Sequence, residues 1–253
     1  MQPQTVMRPH TVAALLALNR QFYARFAGEF SRTRRSWPPG FSQILPYVRS
    51  GFNVLDLGCG NARFLVFLDE SGWNGRYTGL DSSESLLEDA RTTVVQRSHI
   101  PASFVLADLF ADDWPGAVER AGPFDAVVTL AVLHHIPGRD HRVAFLAHCA
   151  RLLPPGAPLV VSTWQFMTSE RLKKRLVSWE TVGIRAEDVE PGDHLVGWGE
   201  GSPGARYCAS IDGPQLKAMA AEAGLTTWET FLSDGHEGNL NLYGVFARNV
   251  SAR

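Results

Sequence analysis

The stretch Val54-Leu55-Asp56-Leu57-Gly58-Cys59-Gly60-Asn61-Ala62-Arg63 decides the fold class of this 253-residue chain. An apolar run leads into a glycine-rich turn, and a helical pattern begins directly after it, which predicts a strand, a turn and a helix. Glycine permits a sharp turn and a close approach of a ligand to the backbone. Arg63 stands where a dinucleotide-binding G-x-G-x-x-G motif needs its third glycine, and the phosphate-binding GxxxxGK[ST] motif is absent.

Around this stretch, short apolar runs alternate with helical patterns, as in a sheet whose parallel strands are joined by helices. Strands are predicted at residues 52–57, 76–80, 103–106, 124–130 and 158–163. Helices are predicted at residues 11–26, from 63 onward, and at 84–97, 139–153 and 213–223, with Gly28 ending the first and 190–204 forming a long irregular loop. The last two strands, 227–232 and 240–247, are too close in sequence for a helical crossover, so an antiparallel pair is expected.

Acidic residues accompany three of these strands at their carboxyl ends. Asp56 precedes the glycine turn by two residues, Asp81 directly follows the second strand, and Asp108 follows the third. In open α/β sheets, ligands bind beyond the carboxyl ends of the strands. The first acid can anchor a cationic amino group, the second can hold two ribose hydroxyls, and the third can accept from an adenine amino group. Each acid alone also suits a helix cap or a turn, so only their combination with the glycine turn points to such a ligand.

In this combination, residues 53–164 resemble the class I S-adenosylmethionine-dependent methyltransferases, with Ala62 in place of a third glycine that is common in that family's loop. The resemblance implies an α/β, Rossmann-like, doubly wound sheet of seven strands, mostly parallel with an antiparallel last strand and with helices on both faces. It also implies S-adenosyl-L-methionine as the cofactor. The residues expected to bind it are Asp56, Gly58, Cys59, Gly60, Asp81, Ser82, Asp108, Leu109 and Leu130.

Two further segments are similar to the tRNA wobble-uridine methyltransferases, which esterify a carboxymethyl group on the uridine. They are Phe30-Ser31-Arg32-Thr33-Arg34-Arg35-Ser36-Trp37-Pro38 and Ala131-Val132-Leu133-His134-His135-Ile136. The later residues Trp198 and Arg206-Tyr207 match that family in outline. The resemblance implies that Arg34 and one of His134 and His135 lie at the active site. The eukaryotic wobble enzymes work with a small zinc-binding activator subunit, and the sequence leaves open whether this chain needs one. Exposed apolar residues at the sheet edge would be the sign of such a subunit.

The chemistry of a carboxylate acceptor agrees with this choice of residues. A carboxylate is already ionised at pH 7, so it needs an orienting cation and no general base. Arginine offers a planar, two-pronged match, and Arg34 fits that role. A histidine could hydrogen-bond the acceptor, or act as a base toward an amine or hydroxyl acceptor. Both segments also have plainer explanations, because adjacent arginines commonly form a solvated face and a histidine can serve structure alone.

Charge is unevenly distributed along the chain. The net charge is −2, yet residues 1–50 contain seven arginines and one glutamate. An anionic acceptor would therefore bind near this basic segment, and a tRNA-binding protein should place its cations around the pocket mouth. We expect the arginines of the first segment to share one face with Arg171, Lys173, Lys174 and Arg175. Two other functions stay open: a methyltransferase acting on a small molecule under an N-terminal lid, and a non-catalytic module that binds the cofactor or a partner.

The remaining features bound the organisation of the chain. Residues 1–50 are predicted to form a helical extension or lid, and residues 51–253 a methyltransferase domain with an insertion at about 165–212. No segment is apolar enough to span a membrane, and no signal peptide is found, so a cytoplasmic protein is expected. Cys59, Cys149 and Cys208 lack metal-ligand spacing, so no metal site is predicted.

Overall fold

Seven strands form the central sheet of the computed structural model, which describes residues 7–32, 36–111, 113–198 and 204–249. In chain order, the strands are β1 (Asn53–Leu57), β2 (Arg76–Asp81), β3 (Ala102–Leu106), β4 (Ala126–Leu130), β5 (Pro158–Trp164), β6 (Leu176–Val177), β7 (Asp193–Gly197), β8 (Ala205–Ala209), β9 (Leu225–Ser233) and β10 (Asn241–Arg248). The central sheet has the order β3-β2-β1-β4-β5-β10-β9. β1 to β5 run parallel, whereas β10 pairs antiparallel with both β5 and β9, so the predicted fold is confirmed.

The helices that join these strands are α1 (Pro9–Arg32), α2 (Pro39–Ile44), α3 (Arg63–Glu70), α4 (Glu84–Arg97), α5 (Trp114–Val118), α6 (Arg139–Arg151), α7 (Glu170–Lys173) and α8 (Gly213–Glu222). Helix α4 has the predicted bounds, and most other elements differ by a few residues at their ends. Gly28 was expected to end α1, and this is wrong, because the helix continues to Arg32. One glycine inside a helix costs only about 1 kcal/mol, which a long helix tolerates.

Strand β1 lies at the centre of the fold and is buried on both faces. Since side chains alternate along a strand, Leu55 and Leu57 pack into the cluster that includes residues of α6 and α8, whereas Val54 packs into the cluster on the α3 side. Helices cover both faces of this parallel sheet, which explains its short, almost wholly apolar strands. Asp56 shares the Val54 face, so a carboxyl group is carried into the interior beside the glycine turn.

The insertion contains a second sheet that the sequence did not predict. β7 pairs antiparallel with β6 and β8, and residues 193–197 belong to β7, so the expectation of an irregular loop over residues 190–204 is wrong there. Residues 190–204 contain five glycines and two prolines, which are typical of a loop. A strand of only five residues is therefore hard to recognise among them. Strand β8 packs against α1, so this small sheet brings the N-terminal helix over the carboxyl ends of the main strands.

Both edge strands of the central sheet expose apolar side chains: Leu106 on β3, and Trp228 and Leu232 on β9. These are the kind of residues expected if a partner subunit covers an edge. Within the described ranges, no helix combines the length and hydrophobicity required to cross a lipid bilayer.

Candidate functional site

A cavity of about 1330 Å³ opens at the carboxyl ends of the parallel strands, between the glycine turn, α1 and the small sheet. All but two of the site residues expected from the sequence line it: Asp56, Gly58, Cys59, Gly60, Asp81, Ser82, Leu109, Leu130, His134 and His135. Asp108 lies outside the lining, and Arg34 lies outside the described residues. Ser36, Trp37 and Pro38, which follow Arg34, do line the cavity.

The glycine turn is held against the end of β2 by backbone hydrogen bonds. The amides of Gly58 and Cys59 both donate to the Leu80 carbonyl, and the Gly60 amide donates to Asp81 Oδ2 at 2.8 Å. Gly58 has a φ of +76°, and a Cβ there would lie 2.3 Å from a Val132 methyl carbon, so no other residue fits. Ala62 adopts the left-handed conformation with a φ of 58°, which a glycine accepts more readily.

Two carboxyl groups face this turn, the buried Asp56 and the partly buried Asp81. Burial raises the pKa of Asp56 to about 7, against the lowering effect of the hydrogen bond from Tyr77. Burial also raises the pKa of Asp81, while backbone amides, among them those of Ser83 and Gly60, lower it. Burial raises the pKa of the Cys59 thiol well above its usual value. The thiol is therefore protonated at neutral pH. The charged groups that remain beside the turn are the two acids, which favour a cationic or hydroxyl-bearing ligand.

Asp108 is engaged in a different way from the other two acids. Its Oδ2 forms an ion pair with Arg20 of α1 at 3.0 Å, and its Oδ1 accepts from the Phe110 amide at 3.0 Å. The ion pair connects the N-terminal helix to the end of β3. The adenine-binding role of Asp108 therefore stays a prediction.

The histidine pair follows β4 on a short turn, and both rings are buried. His135 Nδ1 lies 2.9 Å from the Tyr207 carbonyl, and Nε2 lies 2.7 Å from the Tyr23 hydroxyl. A carbonyl only accepts, so the His135 proton is on Nδ1 and Tyr23 donates to Nε2. In His134, Nδ1 accepts from the Trp164 amide at 3.3 Å, so that ring carries its proton on Nε2 and can donate a hydrogen bond.

Helix α1 is clamped over the cavity by Asn19. The Asn19 amide group donates to the carbonyls of His135 and Tyr207, and its Oδ1 accepts from the Tyr207 amide at 2.7 Å. These contacts imitate the pairing of a neighbouring strand and fix α1 to β8. Together with Tyr23 and Arg20, they make the N-terminal helix one wall of the site. The sequence pattern indicated an apolar helix face and gave no sign of this polar stripe.

Arg206 on β8 lines the cavity among aromatic side chains and is 8% exposed. Its guanidinium carbon lies 4.8 Å from the ring centre of Trp164, 4.9 Å from that of Phe22 and 5.7 Å from that of Trp198. The cage therefore combines the main sheet, the N-terminal helix and the insertion. In the sequence, Arg206 matched the wobble-uridine family only in outline, because nothing local distinguishes a buried arginine from a surface one.

Buried polar groups beneath β8 hold this strand in place. Tyr207 donates to Asp193 at 2.7 Å and accepts from Arg142, which also forms an ion pair with Glu190 at 2.6 Å. Burial raises the pKa of Asp193 to about 6, against the lowering effects of Tyr207 and Arg142. Each of these buried groups would be costly without its hydrogen-bond partner. The network therefore holds the insertion against α6.

His134, His135 and Cys208 place three potential metal ligands within 4.8 Å of one another. The Tyr207 carbonyl already engages His135 Nδ1, and burial raises the pKa of the Cys208 thiol to about 11, with Arg206 lowering it. Thiolate is the form of cysteine that binds metals. The expectation of no metal site therefore stays a prediction.

Comparison with known proteins finds a matching domain family and relatives that are named as methyltransferases. Residues 54–156 match the family described as "Methyltransferase domain". The tRNA (carboxymethyluridine(34)-5-O)-methyltransferase ALKBH8 of Macaca fascicularis is 32% identical over 144 residues, which cover 57% of this chain and 19% of the relative. The chain thus spans about a fifth of the length of that relative. A protein of Encephalitozoon cuniculi (strain GB-M1), named as a putative methyltransferase, is 31% identical over 189 residues, covering 74% of this chain and 77% of the relative.

A solved structure shares the fold over nearly the whole chain. It is the 1,6-didemethyltoxoflavin-N1-methyltransferase of Burkholderia thailandensis with bound 1,6-didemethyltoxoflavin and S-adenosylhomocysteine. The TM-score is 0.65 at 17% identity, and the match covers 99% of this chain and 97% of the other.

Proposed function

Because this chain belongs to the class I S-adenosylmethionine-dependent methyltransferases, we propose that it methylates a carboxylate, with the carboxymethyl group of a tRNA wobble uridine as its acceptor. The observation that carries this proposal is the cationic lining on the acceptor side of the cavity. Arg171 and Arg175 of the insertion line it together with Arg206, and Lys173 of the same cluster pairs with Glu170. The match to a carboxymethyluridine methyltransferase supports the same acceptor.

The glycine turn and the two acids beside it fit the cofactor. Nothing lies within 4 Å of the position that a Cβ of Gly60 would take, so the bare backbone there leaves room for a ligand to approach. We propose that Asp56 holds the amino group of the cofactor, that Asp81 holds its ribose, and that Gly58, Cys59, Gly60, Ser82, Leu109 and Leu130 complete the contacts, with Asp108 near the adenine. When bound, the cofactor supplies a methyl group on a positively charged sulfur.

The protonation of His134 agrees with a carboxylate acceptor. With Nδ1 accepting from Trp164, its Nε2 proton can be donated to an acceptor oxygen, which assists binding and removes no proton. His135 has both ring nitrogens engaged and is proposed to position Tyr23 and β8. Methyl transfer then depends on positioning rather than on a general base.

Arg34 remains a proposed carboxylate-binding residue. We expect Arg34→Ala to lose most turnover while cofactor affinity is retained, as measured by labelled-methyl transfer and by isothermal titration calorimetry. Unchanged turnover would remove Arg34 from the site.

A small-molecule acceptor is the second candidate, and the clamp on α1 favours it. Asn19, Arg20 and Tyr23 fasten the helix over the cavity. A large acceptor must then enter beside this helix, whereas a small one can be enclosed beneath it. The proposed division into an N-terminal lid (1–50) and a methyltransferase domain (51–253) with an insertion at about 165–212 fits either acceptor. A cytoplasmic location is also proposed, since all three cysteines are free thiols.

The test is transfer of labelled methyl groups to bulk tRNA and, in parallel, to a nucleic-acid-free metabolite extract. Carboxyl methyl esters are cleaved by mild alkali, so label on tRNA that is released as methanol supports the proposal. Alkali-stable label on tRNA contradicts the carboxylate acceptor, and label in the metabolite extract alone favours the second candidate. Failure to bind S-adenosylmethionine by calorimetry would contradict both candidates and leave a non-catalytic module that binds a partner.

A further inference from the structure

Arg206 is a buried, positively charged residue that is not among the proposed cofactor contacts. It lies on β8, and its guanidinium is enclosed by Phe22, Trp164 and Trp198. In the described part of the chain, its Nε and Nη1 atoms have no hydrogen-bond partner, and no carboxylate lies within ion-pair distance. By contrast Arg142, another buried arginine, is paired with Glu190 at 2.6 Å. Arg206 is therefore a buried cation that lacks its anion.

This arrangement is costly unless a ligand completes it. A guanidinium cannot lose its proton in a protein, so burial cannot neutralise it. The faces of three aromatic rings stabilise the cation, but they leave the Nε and Nη1 groups without acceptors, and its side-chain hydrogen bond is to the uncharged Cys208 thiol. The neighbouring Cys208 thiol is protonated, because burial raises its pKa to about 11 while Arg206 lowers it. Buried donors without acceptors are costly, and an anion entering the cavity would remove that cost.

We propose that Arg206 binds the carboxylate of the methyl acceptor and so makes this enzyme selective for acids over their neutral amides. This inference rests on the proposed function and names the residue that determines its acceptor class. Trp164 connects the two sides of the acceptor site, since its ring packs on Arg206 and its amide donates to His134. A carboxylate bound by Arg206 is thereby placed near the His134 ring.

The reaction balances without any proton transfer. One carboxylate oxygen provides the electron pair for a new bond to the methyl carbon, while the bond from sulfur to that carbon breaks and the sulfur keeps its pair. The acceptor changes from an anion to a neutral ester. Arg206 attracts the acid and loses that attraction once the ester has formed, so the product binds more weakly than the substrate.

Binding of matched acids and amides tests this role. The probes are 5-carboxymethyluridine and 5-carbamoylmethyluridine, together with indole-3-acetate and indole-3-acetamide as a pair unrelated to tRNA. Each is titrated by calorimetry into the whole protein saturated with S-adenosylhomocysteine. We expect the wild-type protein to bind at least one acid tenfold or more tightly than its amide. Arg206→Gln should lose that ratio, with its affinity for S-adenosylhomocysteine changed less than twofold.

Arg25→Gln is the matched control, because Arg25 also stacks on an aromatic ring, at 5.2 Å from the Phe26 centre, but does not line the cavity. Its acid-to-amide ratio should equal that of the wild type. If Arg206→Gln does not fold, Arg206→Lys keeps the charge but not the planar donors, and its ratio should fall at least threefold. A wild-type protein that binds acids and amides alike or binds neither, or an Arg206 variant with an unchanged ratio, overturns the assignment. These outcomes are independent of tRNA methylation, since loss of tRNA activity with an intact ratio contradicts only the proposed acceptor.

Discussion

The Tyr77 hydroxyl donates a hydrogen bond to Asp56 Oδ2 across 2.5 Å, and both groups are buried in the centre of the sheet. The two residues lie on neighbouring parallel strands, β2 and β1. Burial raises the pKa of Asp56 to about 7, and the Tyr77 hydrogen bond opposes that effect. This contact therefore favours the ionised form of the proposed cofactor anchor, against the effects of burial and of the Asp81 charge.

We predict that affinity for S-adenosylmethionine falls as the pH is lowered through about 7. The cationic amino group of the cofactor prefers the ionised carboxylate, and Asp56 becomes protonated below its pKa of about 7. The dissociation constant should rise by up to tenfold for each pH unit below that point. Calorimetry between pH 5.5 and 8 measures it, and a dissociation constant that is flat across this range would contradict the role of Asp56.

Tyr77→Phe should move the midpoint of that pH dependence upward. The variant removes a hydrogen bond that favours the ionised form, and such bonds to charged groups contribute about 1.5–3 kcal/mol, or roughly one to two pH units. Tyr47→Phe is the control, because the Tyr47 hydroxyl also donates to a carboxylate, that of Glu229, at 2.5 Å but outside the cavity. Equal midpoints in the two variants would show that Tyr77 does not tune the site.

We predict that kcat is independent of pH between 7 and 9 with saturating cofactor and acceptor. The acceptor carboxylate is already ionised, and the hydrogen bond from the Trp164 amide to His134 Nδ1 makes this histidine a donor at Nε2 rather than a base. A hydroxyl or amine acceptor would give a different profile, with kcat rising as a catalytic base loses its proton. Single-turnover rates with the acceptor identified by the labelling assay decide between them, and a tenfold rise per pH unit would exclude carboxylate methylation.

The central sheet could be predicted from the sequence because it depends on local signals. Buried parallel strands appear as short apolar runs, and the glycine turn and the acid after β2 mark where those strands end. Asp56 and Asp81 were accordingly placed at the cavity from sequence alone, and the structure brings them together.

The acceptor side could not be predicted in the same way, because its residues come from distant parts of the chain. Arg206, Phe22 and Trp164 meet only once α1, β5 and the insertion have packed together. The sheet of the insertion was missed because its strands are short and rich in glycine on both sides. Asn19 was missed because a polar residue among the apolar positions of a helix resembles an exposed one until its partner strand is known.

Asn19→Ala is predicted to release α1 from β8. The variant removes three hydrogen bonds, among them the one that the buried Tyr207 amide donates, so we expect a loss of about 2–4 kcal/mol in the free energy of unfolding. Urea denaturation measures this loss, and hydrogen exchange should show faster exchange along α1. Gln21→Ala, on the exposed side of the same helix, should behave like the wild type. If both variants behave alike, Asn19 is not the clamp.

Two arginines of the insertion, Arg171 and Arg175, line the cavity. If tRNA is the acceptor, Arg171 and Arg175 neutralise phosphates, and each contact contributes about −0.7 to −0.9 to the slope of log affinity against log salt concentration. The double variant Arg171→Glu, Arg175→Glu should bind tRNA more than tenfold more weakly and lose roughly 1.5 from the magnitude of that slope. Lys217→Glu, on the exposed side of α8 and away from the cavity, serves as a charge-reversal control and should leave the slope unchanged. Filter binding at several salt concentrations measures both quantities. Equal slopes in all three proteins would show that tRNA does not reach this side of the cavity, and the enclosed small-molecule acceptor would then be the better proposal.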